Sequence, residues 1–553
     1  MYQKIIIAQN IKELRFISST VKGNFFCLPL NLKTQLYCEN NHLPFVDLID
    51  YTDKKFHQKI QSESQKIFKK INCSFINSES LKKEFNAQIR HKIYNIIFLY
   101  YIIKKINKKK NIKKIYVSGW NFYNSVDQEK NYFLSDMIST ICKNFEVINI
   151  DKNKSKKIDN IIIENYKTKI NNLNEKIIVL NNLGYNFKRI ILWTIFKKFK
   201  ILIPTYKKVN FFQKFIRRFF NIYFLEITRV KSIRKNFLKS LQKVSFKKID
   251  ITKCVYFHQD KIYSYFLSEE NKVQSIESIF KKLNLSLVIS NIARGIDGSL
   301  LELASKLKIN SLCISHGTIS SYYNKYDKIY KESISEAVFS DSSRFNALQS
   351  KISKNFAKAF KKKNYIRTGN LIFNEKFNSN GKHILYAVTM KDFHNFHPIG
   401  VETFYEYLDN LNILNDLAKD FEYDIIVKPH PSEFDAIPYL KKKYKNLKFT
   451  NMKNRKLFSQ IKVAINFSST MIEDSLYSNI PVILLDRWKR YKHCDAETNI
   501  SKKNSAIYYI NDIKKLKKCL RTIFESNSIK FSKYTFDGKT NKNFDNILTK
   551  LAN

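Results

Sequence analysis

The chain has 553 residues, of which 44% are hydrophobic and 14% aromatic. This length exceeds what one hydrophobic core supports, so two or three domains are expected, and the composition excludes disorder as the main state. The 98 lysines and arginines outnumber the 48 aspartates and glutamates by 50. An AT-rich coding bias explains part of the lysine count but not the scarcity of acids. Such a charge favours anionic partners: nucleotide-linked substrates, acidic polymers, lipid headgroups or nucleic acid.

The first half of the chain gives the weaker pattern. Strands are predicted at Lys4–Ala8, Lys114–Ser118 and Phe145–Ile150, and a helix at Ser80–Ile106. No run of about 18 residues is free of charge, so no transmembrane helix is expected. Residues 187–245 are aromatic and basic, and we expect a helical insertion there. That insertion either packs as an amphipathic core or rests on an anionic membrane surface.

The second half alternates strand and helix. Leu285–Ser290 and Ser311–Ser315 are predicted strands, and Ser299–Leu307 between them is a predicted helix. Ser299 and Glu302 have the spacing of a capping box. A β-loop-α-β unit of this kind is the building block of parallel sheets.

A second series of short apolar runs begins at residue 383. Its predicted strands are His383–Thr389, Asp424–Val427, Val463–Phe467 and Val482–Leu485. Helical segments separate them, which is typical of a second, smaller parallel sheet. In parallel α/β sheets, ligands bind where the strands end at their carboxyl side.

Polar side chains follow one of these strands in the segment Lys428-Pro429-His430-Pro431. The two prolines fix the backbone, so Lys428 and His430 stand in a rigid loop. Each can donate to a phosphate oxygen, the lysine as a charge and the histidine near neutral pH. The alternative for His430 is a structural role.

Three hydroxyl residues, Ser468, Ser469 and Thr470, follow another strand and precede a predicted helix at Met471–Tyr477. Hydroxyls and backbone N–H groups at a helix start can bind a phosphate together, although a simple N-cap needs only one serine. Glu473 lies one turn into the helix. It either accepts hydrogen bonds from a ribose or complements the helix dipole.

Asp297-Gly298 and His316-Gly317 end neighbouring strand-loop elements and therefore point to the same sheet edge. Asp297 or His316 can take a proton from an acceptor hydroxyl there. The alternative for Asp297 is a turn residue before glycine. Arg294 is a further candidate for an acceptor or anion contact.

The sequence contains no Asp-x-Asp, no phosphate-binding Gly-x-x-x-x-Gly-Lys-Ser/Thr loop and no Gly-x-Gly-x-x-Gly fingerprint. A metal-dependent sugar-nucleotide site is therefore not expected, and no metal ligands are assigned. His394 and His397 have ligand spacing without partners, so we expect them to line a cleft. Eight scattered cysteines without Cys-x-x-Cys are typical of a reduced, cytosolic protein.

The order His-Gly (316–317), Thr-Gly-Asn (368–370), Lys-Pro-His-Pro (428–431) and Ser-Ser-Thr-x-x-Glu (468–473) resembles the GT-B glycosyltransferases of bacterial surface and capsular polysaccharide biosynthesis. The resemblance covers about residues 285–490. Similar families include bacterial sialyltransferases, capsule Kdo transferases and teichoic-acid polymerases.

The resemblance implies roles for individual residues. The His-Pro and Ser-Ser elements of such families hold the donor's nucleotide phosphate, which implies His430 and the hydroxyls at 468–470. Sialyltransferases take their base from an acidic-acidic-Gly motif, and this chain retains one acid there, Asp297. The polymerases use a His-Gly histidine, which implies His316. The donor type stays open on these grounds.

We therefore predict an α/β fold of two Rossmann-like domains (GT-B) facing each other across a cleft. The N-terminal, acceptor-side domain spans 1–370 with the helical insertion at about 187–245. The C-terminal, nucleotide-donor-binding domain spans 381–535, and 536–553 is a C-terminal tail. The protein is expected in the cytoplasm, with peripheral contact to the inner membrane face as an option.

The predicted activity is metal-independent, inverting transfer of a sugar from a nucleotide-sugar, with a CMP-sugar favoured, to a polysaccharide or glycolipid acceptor. The nucleotide-sugar is a substrate, and no cofactor is expected. One alternative is a CDP-polyol phosphotransferase of the teichoic-acid type. Others are an inactive GT-B scaffold or a nucleic-acid-binding protein, although no recognisable nucleic-acid module is present and no specific nucleic acid is expected.

Overall fold

The computed structural model describes residues 3–553 except 72, 119–132, 151–159, 171–173, 184–186, 206–208, 237–241, 256–258, 316–319, 371–380, 389, 391–401, 527 and 537–539. The described strands form three large sheets and one short hairpin. Helices flank the large sheets, so the protein has the predicted α/β architecture.

The described strands are β1 (Lys4–Ala8), β2 (Phe26–Pro29), β3 (Lys114–Val117), β4 (Glu146–Asn149), β5 (Asn160–Lys169), β6 (Ile177–Leu180), β7 (Lys200–Thr205), β8 (Ile222–Asn236), β9 (Ser245–Phe246), β10 (Ile249–Asp250), β11 (Leu285–Ser290), β12 (Asn310–Cys313), β13 (Phe345–Leu348), β14 (Tyr365–Arg367), β15 (His383–Ala387), β16 (Ile425–Lys428), β17 (Lys448–Phe449), β18 (Ile461–Asn466), β19 (Val482–Leu485) and β20 (Ile507–Ile510).

The described α-helices are α1 (Ile11–Thr20), α2 (Leu32–Asn40), α3 (Lys54–Phe68), α4 (Glu79–Lys110), α5 (Phe133–Ile141), α6 (Lys188–Phe196), α7 (Phe211–Phe219), α8 (Thr252–Val255), α9 (Gln259–Phe280), α10 (Gly295–Lys306), α11 (Lys325–Val338), α12 (Lys351–Ala359), α13 (Phe404–Leu417), α14 (Ile437–Lys443), α15 (Asn454–Phe458), α16 (Met471–Tyr477), α17 (Ile513–Phe524) and α18 (Thr540–Ala552). Short 3₁₀ helices lie at Leu48–Tyr51, Pro431–Ala436 and Phe531–Lys533.

The first sheet has four parallel strands in the order β2-β1-β3-β4. The predicted strands at 4–8, 114–118 and 145–150 and the predicted helix at 80–106 are all present, as β1, β3, β4 and α4. The buried face of α4 carries mainly isoleucine, leucine and aromatic side chains, which gives this long helix its place in the core.

The second sheet has eight strands in the order β14-β13-β12-β11-β6-β7-β8-β5. Its neighbours are parallel except for the edge strand β5, which runs antiparallel to β8. Without β5, the chain order read from β8 is 3-2-1-4-5-6-7. The direction of winding therefore reverses between β6 and β11.

Two sequence-based expectations need correction in this region. The range 1–370, predicted as one domain, contains two separate sheets, because β1 pairs with β2 and β3 and not with the later strands. The range 187–245, predicted as a helical insertion, contains α6 and α7 but also β7 and β8, which belong to the second sheet. Their β-branched and aromatic residues favour extended backbone buried in a sheet.

The third sheet has six parallel strands in the order β17-β16-β15-β18-β19-β20. In chain order this is 3-2-1-4-5-6, the doubly wound Rossmann order. The eight-stranded and six-stranded units are thus the two Rossmann-like domains of the predicted GT-B fold, and the four-stranded unit is an addition to it.

The C-terminal segment does not behave as the predicted tail. Helix α18, within the range 536–553, packs Phe544 and Leu548 into the core of the eight-stranded sheet beside Trp193. Arg189 of α6 also forms an ion pair with Asp545 of α18. The chain end therefore returns to the unit that precedes the six-stranded domain, because its apolar face finds a partner there.

The hydrophobic core continues between the four-stranded and six-stranded units. A single cluster of buried residues joins Ile5 and Phe98 to Tyr386 and Tyr405. His57 lies between them, with Nδ1 3.1 Å from Tyr94 Oη and Nε2 3.1 Å from Tyr405 Oη. In the part of the chain that the structure describes, we find no helix with the length and apolar character to cross a membrane.

Candidate functional site

The six-stranded sheet reverses its winding between β15 and β18, and open α/β sheets bind ligands outside the strand ends at such a switch point. Ala387 of β15 is paired with Lys428 on one side and Asn466 on the other. The last residues of three neighbouring strands therefore form one row. His430 lies two residues beyond one end of that row, and Ser468 lies two beyond the other. With about 4.8 Å between strands, the outer two strand ends are about 10 Å apart.

Asn466 shapes the turn that follows β18. Its Nδ2 donates to the Ala387 carbonyl at 2.9 Å, and its Oδ1 accepts from Ser469 N at 2.7 Å. Ser469 Oγ accepts from Met471 N, the first N–H of α16, at 3.2 Å. Ser468 is half-buried, and Thr470 is exposed at the crevice. The hydroxyls therefore have different surroundings: that of Ser469 accepts from a backbone N–H, whereas Thr470 is exposed to solvent.

Lys428 and His430 lie on the β16 side of this crevice. The Lys428 ammonium donates to the carbonyl of Met452, and partial burial lowers its pKa. His430 Nδ1 is 2.7 Å from Ser432 Oγ and accepts from Ser432 N at 3.3 Å. Nδ1 is therefore the accepting nitrogen, and the proton of the neutral ring is on Nε2.

The loop after Lys428 leads directly into a short helix. Pro431 begins the 3₁₀ helix Pro431–Ala436, for which His430 is the N-cap. A proline suits this first position because the N–H that it lacks has no helical partner there. Lys33 of α2 pairs with Asp435 at 2.8 Å, which holds this loop against the four-stranded unit.

Glu473 and Asp474 contact the other Rossmann-like domain. Buried Glu473 accepts from the Ser350 hydroxyl at the N-cap of α12. Asp474 Oδ1 accepts from Asn370 Nδ2 at 3.0 Å, and burial raises the pKa of Asp474 to about 8. The structure therefore places Glu473 at the domain interface, buried against Ser350.

The same interface brings the carboxyl end of β13 to α16. Tyr477 of α16 donates to the Gln349 carbonyl at 2.6 Å, directly after β13. Gln349 Nε2 in turn donates to the carbonyl of Ser315, which follows β12. The end of β13 thus contacts α16, the helix that follows β18, and Gln349 connects it to the end of β12.

The eight-stranded sheet has its own switch point between β6 and β11, and asparagines line it. Asn181 Nδ2 donates to Asn291 Oδ1 at 2.7 Å, and Asn182 Nδ2 donates to the same oxygen at 3.1 Å. Asn181 and Asn291 each follow one of the two diverging strands. Amide side chains of this kind can both donate to and accept from sugar hydroxyls.

Asp297 lies at the same crevice, in the first turn of α10 and not in a loop, because the helix begins at Gly295. Burial raises the pKa of Asp297 to about 6, and the charges of Glu269 and Glu84 act in the same direction. A hydrogen bond from Asn181 to the carboxylate lowers the pKa and opposes part of that effect. A carboxyl group with this pKa is suited to general base catalysis near neutral pH.

The predicted capping box at Ser299 and Glu302 does not form. Both residues lie inside α10, and Glu302 instead accepts from Ser78 Oγ at 2.8 Å and from Ser80 N at the start of α4. Gly298 makes this packing possible: a Cβ there would lie 2.6 Å from the Ala293 carbonyl and 2.8 Å from Ser80 Oγ. The glycine after Asp297 therefore serves helix packing.

The remaining predicted site residues have different outcomes. Arg294 Nε is 2.9 Å from Glu84 Oε2, so a carboxylate of α4 already balances its charge. His316, His394 and His397 lie outside the described residues. Among the described residues, no three His, Cys, Asp or Glu side chains are grouped closely enough to hold a metal ion.

Sequence reasoning missed the three asparagines of the eight-stranded crevice and Asn466. A signal for the first pair existed, since the apolar run Ile177–Leu180 ends at Asn181-Asn182. This run pairs with β11, and the contacting asparagines, Asn181 and Asn291, are 110 positions apart in the sequence. Local sequence patterns do not show such a pairing.

No protein-family model and no curated protein matches the chain. Among solved structures it is similar to UDP-GlcNAc 2-epimerase from Methanocaldococcus jannaschii in complex with UDP-GlcNAc and UDP, with 15% identity, a TM-score of 0.40, and 68% of this chain and 100% of that chain covered. The enzyme of the same name from Neisseria meningitidis, bound to UDP-GlcNAc, has 14% identity, a TM-score of 0.41, and coverage of 68% and 99%.

The calicheamicin glycosyltransferase CalG4 has 8% identity and a TM-score of 0.37, with 68% of this chain and 95% of that chain covered. Likenesses at these scores assign no activity to this chain. The two-domain description rests on its own strand orders, 3-2-1-4-5-6 in the six-stranded sheet and the same winding in the eight-stranded sheet.

Proposed function

We propose that the protein is a glycosyltransferase that moves a sugar from a nucleotide-sugar to a hydroxyl of a glycan or glycolipid. The observation that carries this proposal is the pair of switch points, one in each Rossmann-like sheet, whose side chains differ in chemistry. One is edged by Lys428, His430 and exposed Thr470, and the other by the asparagines and Asp297. A cationic, hydroxyl-bearing crevice suits the phosphates of a donor, and an amide-lined crevice with a base suits an acceptor hydroxyl.

In this mechanism Asp297 removes the proton of the attacking acceptor hydroxyl. The hydroxyl oxygen forms a bond to the anomeric carbon while the bond from that carbon to the nucleotide phosphate breaks. Direct attack from the opposite face inverts the anomeric configuration. Lys428 and His430 stabilise the negative charge that grows on the departing phosphate. No metal ion and no cofactor is invoked, which extends the sequence-based expectation.

The donor class is the open choice within this proposal. Asp297 favours a sugar donor through the resemblance to sialyltransferases, and His316 favours a CDP-polyol donor through the resemblance to teichoic-acid polymerases. The two UDP-GlcNAc 2-epimerase structures named above are bound to UDP-GlcNAc, and we include this nucleotide-sugar in the test beside CMP-sugars and CDP-polyols.

The test is a donor screen with the purified full-length chain. Release of nucleotide and formation of product are followed by mass spectrometry with CMP-sugars, UDP-sugars and CDP-polyols, with mixed glycan acceptors and with EDTA present throughout. We expect turnover with one sugar donor, lost in Asp297→Asn and kept in Asp420→Asn, an exposed aspartate before β16. Turnover of CDP-polyols alone, or equal activity of the two variants, would contradict the proposal.

A further inference from the structure

Six of the fourteen large hydrophobic side chains that are exposed among the described residues lie in α6, α7 and the residue after α7. We call this set the aromatic patch; it consists of Leu192, Phe196, Phe211, Phe215, Phe219 and Phe220. Phe196, Phe211 and Phe219 are 82%, 81% and 75% exposed. Isolated exposed hydrophobics are normal on protein surfaces, but a concentration of phenylalanines marks an interaction surface.

Helix α7 exposes an apolar face to solvent, whereas a helix that packs on a sheet normally turns its apolar face to the sheet. Phe211, Phe215 and Phe219 recur at intervals of four and share the outward face, where the rings of Phe215 and Phe219 are 5.3 Å apart. Lys214 instead reaches the sheet and forms an ion pair with Glu226 of β8. In water, the phenylalanine face of such a helix is the one expected to be covered.

Both helices of the aromatic patch lie on one face of the eight-stranded sheet. Helix α6 connects β6 to β7, and α7 connects β7 to β8, so the two crossovers move in the same direction along the sheet. Parallel crossovers are right-handed, which puts both helices on the same side. Their outward residues therefore form one surface.

Every lysine, arginine, aspartate or glutamate in the segment that carries the aromatic patch is a basic residue. Between Glu175 and Glu226 the sequence contains no aspartate or glutamate, and residues 187–220 hold ten lysines and arginines. Lys188, Lys197 and Lys198 of this stretch are exposed. Arg217 lies over the ring of Phe224 of β8 and so faces the sheet. Phenylalanines projecting from a basic surface combine the two signals that peripheral membrane binding needs.

We propose that the aromatic patch docks onto an anionic phospholipid surface, with its phenylalanines at the headgroup–acyl boundary and the surrounding lysines and arginines on the phosphates. A second copy of the chain is a poorer occupant. A twofold interface would bring one basic surface against another, and like charges at close range oppose that contact. An anionic bilayer matches both the apolar and the charged component.

Vesicle flotation tests this directly with two matched double variants of the full-length protein. Phe211→Ser/Phe219→Ser removes two exposed aromatics of the aromatic patch, and Phe16→Ser/Tyr439→Ser removes two exposed aromatics elsewhere. The vesicles contain phosphatidylcholine alone or with phosphatidylglycerol. We expect the wild type and the control variant to float with anionic vesicles only, and the patch variant to bind at least about tenfold more weakly.

Salt and oligomeric state complete the test. Binding should weaken as salt rises from about 0.1 M to 0.5 M, because headgroup contacts are screened. The proposal is overturned if the wild type does not bind anionic vesicles. It is also overturned if the patch variant binds them as the wild type does while its circular dichroism spectrum is unchanged. It is also overturned if light scattering shows wild-type dimers that Phe211→Ser/Phe219→Ser dissociates, since the occupant is then a second copy.

Discussion

The two switch-point crevices share a topology but differ in chemistry. The crevice of the six-stranded sheet is edged by a lysine, a histidine and hydroxyls, whereas the crevice of the eight-stranded sheet is edged by asparagines and one carboxyl group. The first set offers donors and positive charge to a phosphate. The second offers amide groups to sugar hydroxyls and a base to remove a proton. The same type of sheet thus provides two crevices whose side chains suit different chemical groups.

The largest expected effect is on kcat, when the carboxyl group of the eight-stranded crevice is removed. Asp297→Asn keeps the shape of the side chain but removes the base, so kcat should fall by about 10²–10⁴-fold, the usual contribution of general base catalysis. The donor KM should stay within about twofold, because we propose that the nucleotide binds in the other crevice. Steady-state kinetics with Asp420→Asn as the matched control checks this. A raised donor KM at unchanged kcat would move Asp297 to the donor side.

The pH dependence sharpens the same comparison. The pKa of Asp297 is raised to about 6, and a base acts only when ionised. We therefore expect kcat/KM to rise about tenfold per pH unit below pH 6 and to level off above it. A profile that is flat from pH 4.5 to pH 7.5, measured where the protein remains folded, would exclude Asp297 as the base.

Substitution of Glu473 tests whether its carboxylate stabilises the domain interface or contacts the donor. Glu473→Ala removes a buried acceptor of the Ser350 hydroxyl, at a cost of about 1–3 kcal/mol in unfolding free energy. The donor KM should stay unchanged. Ser350→Ala is the matched control and should lower the melting temperature in the same way. An increase of the donor KM in Glu473→Ala alone would restore the ribose role.

The last prediction concerns Asp474, the second carboxyl group of the interface. Its pKa is raised from 3.8 to about 8, so the folded state retains a proton that the unfolded chain releases at lower pH. Stability is therefore lost as pH rises from about 4 through 8. Asp474→Asn keeps an acceptor for Asn370 and has no charge to bury, so its melting temperature should fall less than that of the wild type between pH 6 and pH 9. Parallel curves for the two proteins would refute this linkage.

The sequence predicted one crevice better than the other for a physical reason. Lys428, His430 and Ser468–Thr470 lie within or just after strands whose apolar runs are compact and regularly spaced, and β19 matched its prediction at both ends. The eight-stranded crevice depends on β6 meeting β11 across a long stretch of chain, and strand pairing leaves no local trace. The interface role of Glu473 was equally hidden, because its partner Ser350 is 123 positions away.

The same limit explains the region of the aromatic patch. Its basic and aromatic composition suggested helices and left two options, a packed core or a membrane surface. The runs in β7 and β8 pair with each other in the sheet, and their apolar residues are buried on its faces, continuously from Ile201 to Ile203 in β7. Only the position of α7 on that sheet reveals which of its side chains face outward.

The most direct test of the division between the crevices is calorimetric titration of nucleotides into three proteins: Lys428→Ala, Asp297→Asn and Lys448→Ala. Lys448 of β17 lies beside Ile426 of β16 and forms an ion pair with Asp424 at 2.7 Å, and it is the control lysine outside the row of strand ends. We predict that the nucleotide bound by the wild type binds about tenfold or more weakly to Lys428→Ala and unchanged to the other two. Equal affinity for Lys428→Ala and Lys448→Ala, or a loss confined to Asp297→Asn, would contradict the account.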